Sequence, residues 1–180
     1  MQITNLEIEG LKLITQKIYH DNRGFFNEKY VEQKFHDLGI TNKFVQDNHS
    51  FSHKGVIRGL HYQANPSQAK LVSCIRGKIL DVAVDIRKNS KTYGKYFSVE
   101  LTAENGLMLY IPAGFAHGFA ALTDCDVLYK VDGGYNPRGE GGIIYNDKTL
   151  NIDWKVTNEI VSEKDLSLPN FLDYQRNPVF

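Results

Sequence analysis

At 180 residues the chain is long enough to bury a core without disulfides or a structural metal, and short enough to form a single domain over residues 1–180. Its 21 basic and 21 acidic side chains cancel to a formal charge of zero. That balance leaves no electrostatic footprint for nucleic acid or an anionic membrane, so any anion it binds is expected to be small and met in a local pocket. No stretch approaches the roughly 20 apolar residues that span a bilayer, and MQITNLEIEG lacks the basic and apolar blocks of a signal peptide. The expectation is a soluble, cytoplasmic protein.

Glu9 to Tyr19 alternates loosely and predicts one or two short strands, followed by a turn over His20 to Gly24. Phe25, Phe26, Glu28 and Tyr30 form an aromatic-rich strand. Val31 to Leu38 is a short amphipathic helix stopped by Gly39. The stretch Lys43 to Ser50 begins as a strand and then runs polar through Gln46, Asp47, Asn48 and His49. This is either a solvated turn or a set of groups at the mouth of a sheet. Lys54 to Gln63, KGVIRGLHYQ, has the β-rich character of a strand, interrupted from within by Arg58 and His61. A buried arginine cannot shed its proton and needs a fixed anion, while a histidine titrates near neutrality and suits proton transfer. Strict alternation puts the two on opposite faces, unless Gly59 permits a bulge.

Beyond the loop at Ala64 to Ala69, Lys70 to Arg76 is a strand and Ile79 to Arg87 shows the cleanest alternation in the chain. Leu80, Val82, Val84 and Ile86 share one face; Asp81, Ala83 and Asp85 share the other, facing either solvent or a cavity. After a loop at Lys88 to Lys95, Tyr96 to Leu101 is a strand and Thr102 to Gly106 a turn. Leu107 to Ile111 and Phe115 to Leu122, joined by Pro112-Ala113-Gly114, read as a hairpin carrying His117. Val127 to Val131 is a further strand, Asp132 to Gly142 a glycine-rich loop with Tyr135 and Glu140, and helical pattern returns only around Lys164. Many short strands with frequent turn signals predict an all-β antiparallel jelly roll, a cupin-like barrel with a few short peripheral helices. Cys74 and Cys125 lie in apolar runs and read as reduced core residues.

Three chemistries can be weighed. A cupin metal site needs an HxH pair, but the chain reads His61-Tyr62-Gln63, and its other histidines are scattered singly. No metal is expected. Nucleophilic catalysis lacks a GxSxG, and neither cysteine has a neighbouring cation or histidine in sequence. Proton transfer beside a carbonyl needs a base, a group to hold it, a cation for the enolate oxygen and an acid opposite. His61 is a base, Asp81 or Asp165 could orient it, Lys70 could meet the oxyanion and Tyr129 could return a proton. Each has a plainer reading. Lys70 could be a strand-end lysine, Tyr129 a core phenol, and Asp165 a helix-cap carboxylate, because Ser162-Glu163-Lys164-Asp165 has the S-x-x-D spacing.

The runs DNRGFFNE, FVQDNHSFSHKGVIRGLHYQ, QAKLVSCIRGKILDVAVDIRKNSKTYG, IPAGFAHGFAAL, LYKVDGGYNP and SEKD occur in order over nearly the whole chain. Together they resemble the dTDP-4-dehydrorhamnose 3,5-epimerases, cupin-fold enzymes of nucleotide-linked rhamnose synthesis. By position, the resemblance implies that His61 removes the C3 and C5 protons of a dTDP-linked 4-keto-6-deoxyhexose. Tyr129 would be the acid opposite, Asp165 would hold the histidine, Lys70 would stabilise the enolate, and Asp81 would sit in the same polar cluster. It places Arg23, Glu28, Gln46, Asp47, Asn48, Arg58, His117, Glu140 and Lys164 at substrate-binding positions, Tyr135 stacked on thymine, and Phe26 beside it. It also implies a homodimer that exchanges N-terminal strand material and uses no metal or organic cofactor. Gly133-Gly134 stands where relatives often carry bulkier residues, which predicts looser recognition of the base. Retention of both His61 and Tyr129 favours inversion of two centres. The alternatives are a single-centre epimerase and an inert sugar-nucleotide-binding cupin. If the proton-transfer reading holds, turnover falls at acid pH as the base protonates and at alkaline pH as the phenol ionises.

Overall fold

The computed structural model describes all residues 1–180. In chain order its strands are β1 (Gln2–Asn5), β2 (Lys12–Thr15), β3 (Ile18–Asp21) and β4 (Gly24–Asn27), then helix α1 (Glu32–Asp37). Next come β5 (Gln46–Ser52), β6 (Ile57–Gln63), β7 (Lys70–Arg76), β8 (Lys78–Asp85), β9 (Tyr96–Thr102), β10 (Leu107–Ile111), β11 (Phe115–Ala121), β12 (Cys125–Val131) and β13 (Glu140–Gly142). Two short helices, α2 (Glu163–Leu166) and α3 (Phe171–Arg176), lie near the C-terminus. One sheet has the order β1-β2-β10-β7-β12-β5, the facing sheet the order β13-β6-β11-β8-β9, and β3-β4 is a separate hairpin. Every pairing within them is antiparallel.

Alternation divides each strand between two apolar layers. Val72, Cys74, Leu109 and Val127 of the larger sheet meet Ile79, Ala83, Leu101, Phe115 and Phe119 of the smaller one in the interior. Outside the smaller sheet, Leu80, Val82, Val84 and Ile86 are covered by Trp154, Phe171 and Tyr174. Outside the larger sheet, Leu71, Met108 and Tyr110 are covered by Phe35 of α1 and Ile40. β8 is therefore buried on both sides, and its polar face is an interior face: Asp81 and Asp85 are fully buried. Asp85 is absorbed structurally by Arg87, Ser90 and Thr92. Cys74 and Cys125 are free and buried, and burial pushes their thiols up to about 12 and about 11, far from a nucleophile's range.

The hairpin expected over 107–122 does not form. β10 pairs with β2 and β7, whereas β11 pairs with β6 and β8, so Pro112-Ala113-Gly114 crosses between the sheets. Sequence separation alone cannot tell such an arch from a hairpin. α3 was not read from the sequence. It is set by its contacts: Asn170 accepts from the Asp173 N–H at 2.9 Å, and Tyr174 Oη donates to the Ile86 carbonyl at 2.9 Å.

Candidate active site

Local backbone geometry at β6 settles the parity of Arg58 and His61. His61 lies opposite His117 and Arg58 opposite Phe119, so Gly59 and Leu60 together face the single residue Gly118. This bulge turns Arg58 and His61 toward the same cleft. Glycine is required on both sides. Gly59 has φ +119°, a Cβ there would stand 2.6 Å from Gly118 Cα, and one on Gly118 would stand 2.6 Å from the Arg58 carbonyl. The Gly59 N–H freed by the bulge donates to Asp165 Oδ2 at 3.1 Å.

The same carboxylate holds the histidine. His61 Nε2 donates to Asp165 Oδ1 at 2.7 Å, and no protein group bonds Nδ1. Asp165 is delivered by α2, whose cap Ser162 accepts from the Asp165 N–H at 3.1 Å. The S-x-x-D cap is therefore real, but the Asp165 carboxylate turns away from it toward β6. Burial pushes the His61 imidazole below its ordinary value, against the opposing pull of Asp165, so it remains a neutral base at pH 7.

A second dyad lies beside the first. His117 Nε2 bonds Asp81 Oδ1 at 2.8 Å, both nearly inaccessible to solvent, and Asp81 Oδ2 is buried without a hydrogen-bond partner. Asp81 thus orients His117, and Asp165 alone orients His61. Lys70, at the start of β7 on the facing sheet, donates to the His61 carbonyl at 3.3 Å. Burial lowers its ammonium to about 8, with the charges of Asp81 and Glu140 opposing the fall. Tyr129 of β12 completes that wall. Its hydroxyl bonds no protein group, and burial raises its phenol above the ordinary value.

These residues line two adjoining chambers of about 280 and about 330 Å³. His61, Lys70 and Tyr129 belong to both. Arg58, His117, Ser50, Lys164 and Asp165 complete the first; Gln46, Asn48, Gln63, Tyr135 and Glu140 complete the second. Arg58 is exposed rather than buried. Its Nε donates to Ser52 Oγ and its Nη2 to the Phe51 carbonyl, both at 3.0 Å, and no carboxylate pairs with it. At the mouth, Lys164 Nζ donates to Glu140 Oε2 at 2.8 Å, and Tyr135 Oη donates to the same oxygen at 3.4 Å. Burial alone would raise the Glu140 carboxyl, but Lys164 and His61 pull it below its usual range.

Four sequence candidates do not reach this cleft. Asp47 alternates to the outer face of β5 and pairs with Lys130 at 2.7 Å. Arg23 is at the exposed tip of the β3–β4 hairpin, bonded to Asp21, and Phe26 is exposed on the same hairpin. Glu28 follows it and bonds Lys34 at 2.5 Å. Ser50 and Gln63 line the cleft although neither was singled out as a site residue. Period-two alternation from Asn48 to Ser50 and from His61 to Gln63 is the signal that finds them. No three His, Cys, Asp or Glu side chains converge as a metal would require.

A family model described as dTDP-4-dehydrorhamnose 3,5-epimerase matches residues 5–173. The dTDP-4-dehydrorhamnose 3,5-epimerase of Shigella flexneri is 47% identical over 176 residues, covering 96% of this chain and 97% of that protein. The crystal structure of dTDP-6-deoxy-D-glucose-3,5-epimerase from Legionella pneumophila, in complex with dTDP-4-keto-L-rhamnose, superposes with a TM-score of 0.91. It is 46% identical and covers 94% of this chain and 92% of that one. A 3'-monoepimerase from Streptomyces bikiniensis, in complex with dTDP-quinovose, has a TM-score of 0.90 at 33% identity, covering 95% and 88%. A match over nearly the whole length, with this level of identity on the same jelly roll, places the chain in the dTDP-4-dehydrorhamnose 3,5-epimerase family of isomerases.

Proposed function

We propose that this protein converts dTDP-4-keto-6-deoxy-D-glucose to dTDP-4-keto-L-rhamnose, the double inversion of dTDP-L-rhamnose synthesis. The observation that carries the reading is the disposition of three groups around one cleft. An imidazole stands on one sheet, a phenol on the facing sheet, and an ammonium group beside both. The C4 ketone of the substrate acidifies the C–H bonds at C3 and C5. His61 Nδ1 takes the proton from one of them, the electron pair passes into the enolate, and Lys70 stabilises the negative oxygen. Tyr129 delivers a proton to the carbon from the opposite face. The imidazolium then loses its proton to water and the phenolate regains one, so the same groups serve the second carbon without a redox partner. Arg58, a cation with no carboxylate of its own, and Lys164 at the mouth suit the diphosphate. Tyr135, exposed at the rim, suits stacking on thymine.

The His61–Tyr129 pair by itself serves one inversion or two. Two are favoured by the closer similarity to the 3,5-epimerases, at 46 and 47% identity, than to the 3'-monoepimerase at 33%. Turnover in deuterium oxide followed by NMR is expected to place label at both C3 and C5. Label at only one carbon reassigns the protein to the single-centre class.

The assembly proposed is a cytoplasmic homodimer. Phe25 and Phe26 of the β3–β4 hairpin are 63% and 66% exposed and pack into neither sheet. Arg23, Phe26 and Glu28 lie outside this chain's own cleft, as expected if the hairpin completes the partner's. Light scattering is expected to give about 41 kDa, twice the 20.5 kDa chain, and a 20.5 kDa species would exclude the exchange.

A further inference from the structure

The segment after β12 carries Tyr135 between three glycines and reads from sequence as a loose loop. The structure shows it docked. A Cβ on Gly133 would stand 2.7 Å from the Ser67 carbonyl oxygen, and one on Gly139 would stand 2.5 Å from that of Asn65. Gly133 and Gly139 are thus what allows the segment to lie directly on the 64–68 turn. The Ala64 N–H donates to the Gly139 carbonyl at 2.8 Å, and Gln68 Nε2 donates to the Gly133 carbonyl at 2.6 Å.

The centre of this docking is the side chain of Gln63, 4% exposed. Its Nε2 donates to the Gly134 carbonyl at 3.0 Å and to the Pro66 carbonyl at 2.7 Å, and its Oε1 accepts from the Asn136 N–H at 2.8 Å. Gly134 and Asn136 are the two neighbours of Tyr135. One amide therefore holds the backbone on both sides of the tyrosine, using two donors and an acceptor that only a carboxamide supplies together. Gln63 is also two residues from His61 on the same strand face, about 7 Å away along a rigid ladder.

We infer that Gln63 is a positioning residue that sets Tyr135, and with it the nucleobase, at a fixed span from His61. The inference rests on the proposed role of Tyr135 as the base-stacking group. Pre-organising the tyrosine lowers the ordering cost of binding the nucleotide and leaves the proton-transfer groups untouched.

The test is a double-mutant cycle on the full protein, read by thymidine diphosphate affinity and by kcat. Gln63→Leu is expected to weaken thymidine diphosphate binding, and raise KM, by about tenfold or more, with kcat within about threefold. Tyr135→Ala is expected to weaken binding by a similar factor, the order of a lost base–aromatic stack. Adding Gln63→Leu to Tyr135→Ala is expected to cost less than about a further twofold, because the group it positions is gone. Equal losses on both backgrounds, or a fall in kcat at unchanged affinity, overturn the inference and leave the stacking role standing. Unchanged affinity in Tyr135→Ala alone overturns the stacking role and this inference with it. If Gln63→Leu does not fold, Gln68→Ala, which removes a single bond to the same loop, must show the same split in KM and the same non-additivity with Tyr135→Ala; additivity there overturns it equally.

Discussion

Asparagine in place of His61 is expected to lower kcat by at least about 10³-fold, within the range for a lost general base, while thymidine diphosphate binds within about twofold of wild type. The substitution removes the imidazole held by Asp165, whose Nδ1 bonds no protein group, from the wall of the cleft. It leaves the Gly59 N–H bond to Asp165 in place, and an asparagine amide can still donate toward the same carboxylate. The fold of the bulge does not depend on the imidazole, because the glycine pair at 59 and 118 and the Asp165 carboxylate set it. Loss of deuterium exchange at C3 and C5, together with retained nucleotide binding, is the expected outcome. If exchange at either carbon continued at the wild-type rate, His61 would not be the base there, and if the variant behaved like wild type throughout, an inert sugar-nucleotide-binding cupin would be the better description.

Methionine in place of Lys70 is expected to make the protein more stable and nearly inactive. Held at about 8 against an ordinary 10.5, the buried ammonium carries a cost at neutral pH of up to about 3 kcal/mol. Between those two values the folded chain binds fewer protons at Lys70 than the unfolded chain. Wild-type stability therefore rises with pH across that window, and the cost is fully present below about pH 8. A methionine of similar length removes it. The expected gain at pH 7 is up to about 3 kcal/mol, worth about 2–4 °C in Tm per kcal/mol for a chain of this size, and it vanishes above about pH 10.5. Activity is expected to fall by about 10²-fold or more, the scale of a lost oxyanion partner. A variant that is less stable than wild type at pH 7, or that keeps its turnover, contradicts the assignment.

The same lysine is expected to set the alkaline limb of the pH–rate profile. Turnover is expected to rise with pH as His61 loses its proton below its ordinary 6.5, and to fall as Lys70 loses its own near pH 8. Burial moves the Tyr129 phenol upward, so it stays protonated beyond that point. The alkaline limb is therefore expected to follow Lys70 rather than the Tyr129 phenol. A profile flat from pH 7 to 10 with chemistry limiting would remove Lys70 from the enolate site.

The jelly roll was legible because period-two apolar patterning is local. β7 occupies the span read from sequence, and β8 and β12 depart from theirs by only a few residues at the ends. The motif runs pointed to His61, Tyr129, Lys70 and Asp165 as well, but through their resemblance to the epimerase family; spacing alone left Lys70, Tyr129 and Asp165 with plainer readings. What could not be read was which side of the sheet a polar residue faces once a bulge intervenes, and which carboxylate meets which histidine. Asp81 and Asp165 were equivalent candidates for His61 in sequence; only the pairing of β8 with β11 and the approach of α2 to β6 separates them.

Sequence by itself thus determined most of the strand pattern and the absence of a long apolar span, because both depend on residue type and short-range period, whereas the choice of reactive side chains came through family resemblance. Tertiary structure alone decided that residues 107–122 arch between sheets, that Asp47 and the hairpin residues leave the cleft, and that burial lowers Lys70 to about 8. Those outcomes depend on contacts between segments dozens of residues apart, where desolvation and a single carboxylate's position outweigh anything encoded by neighbours in the chain.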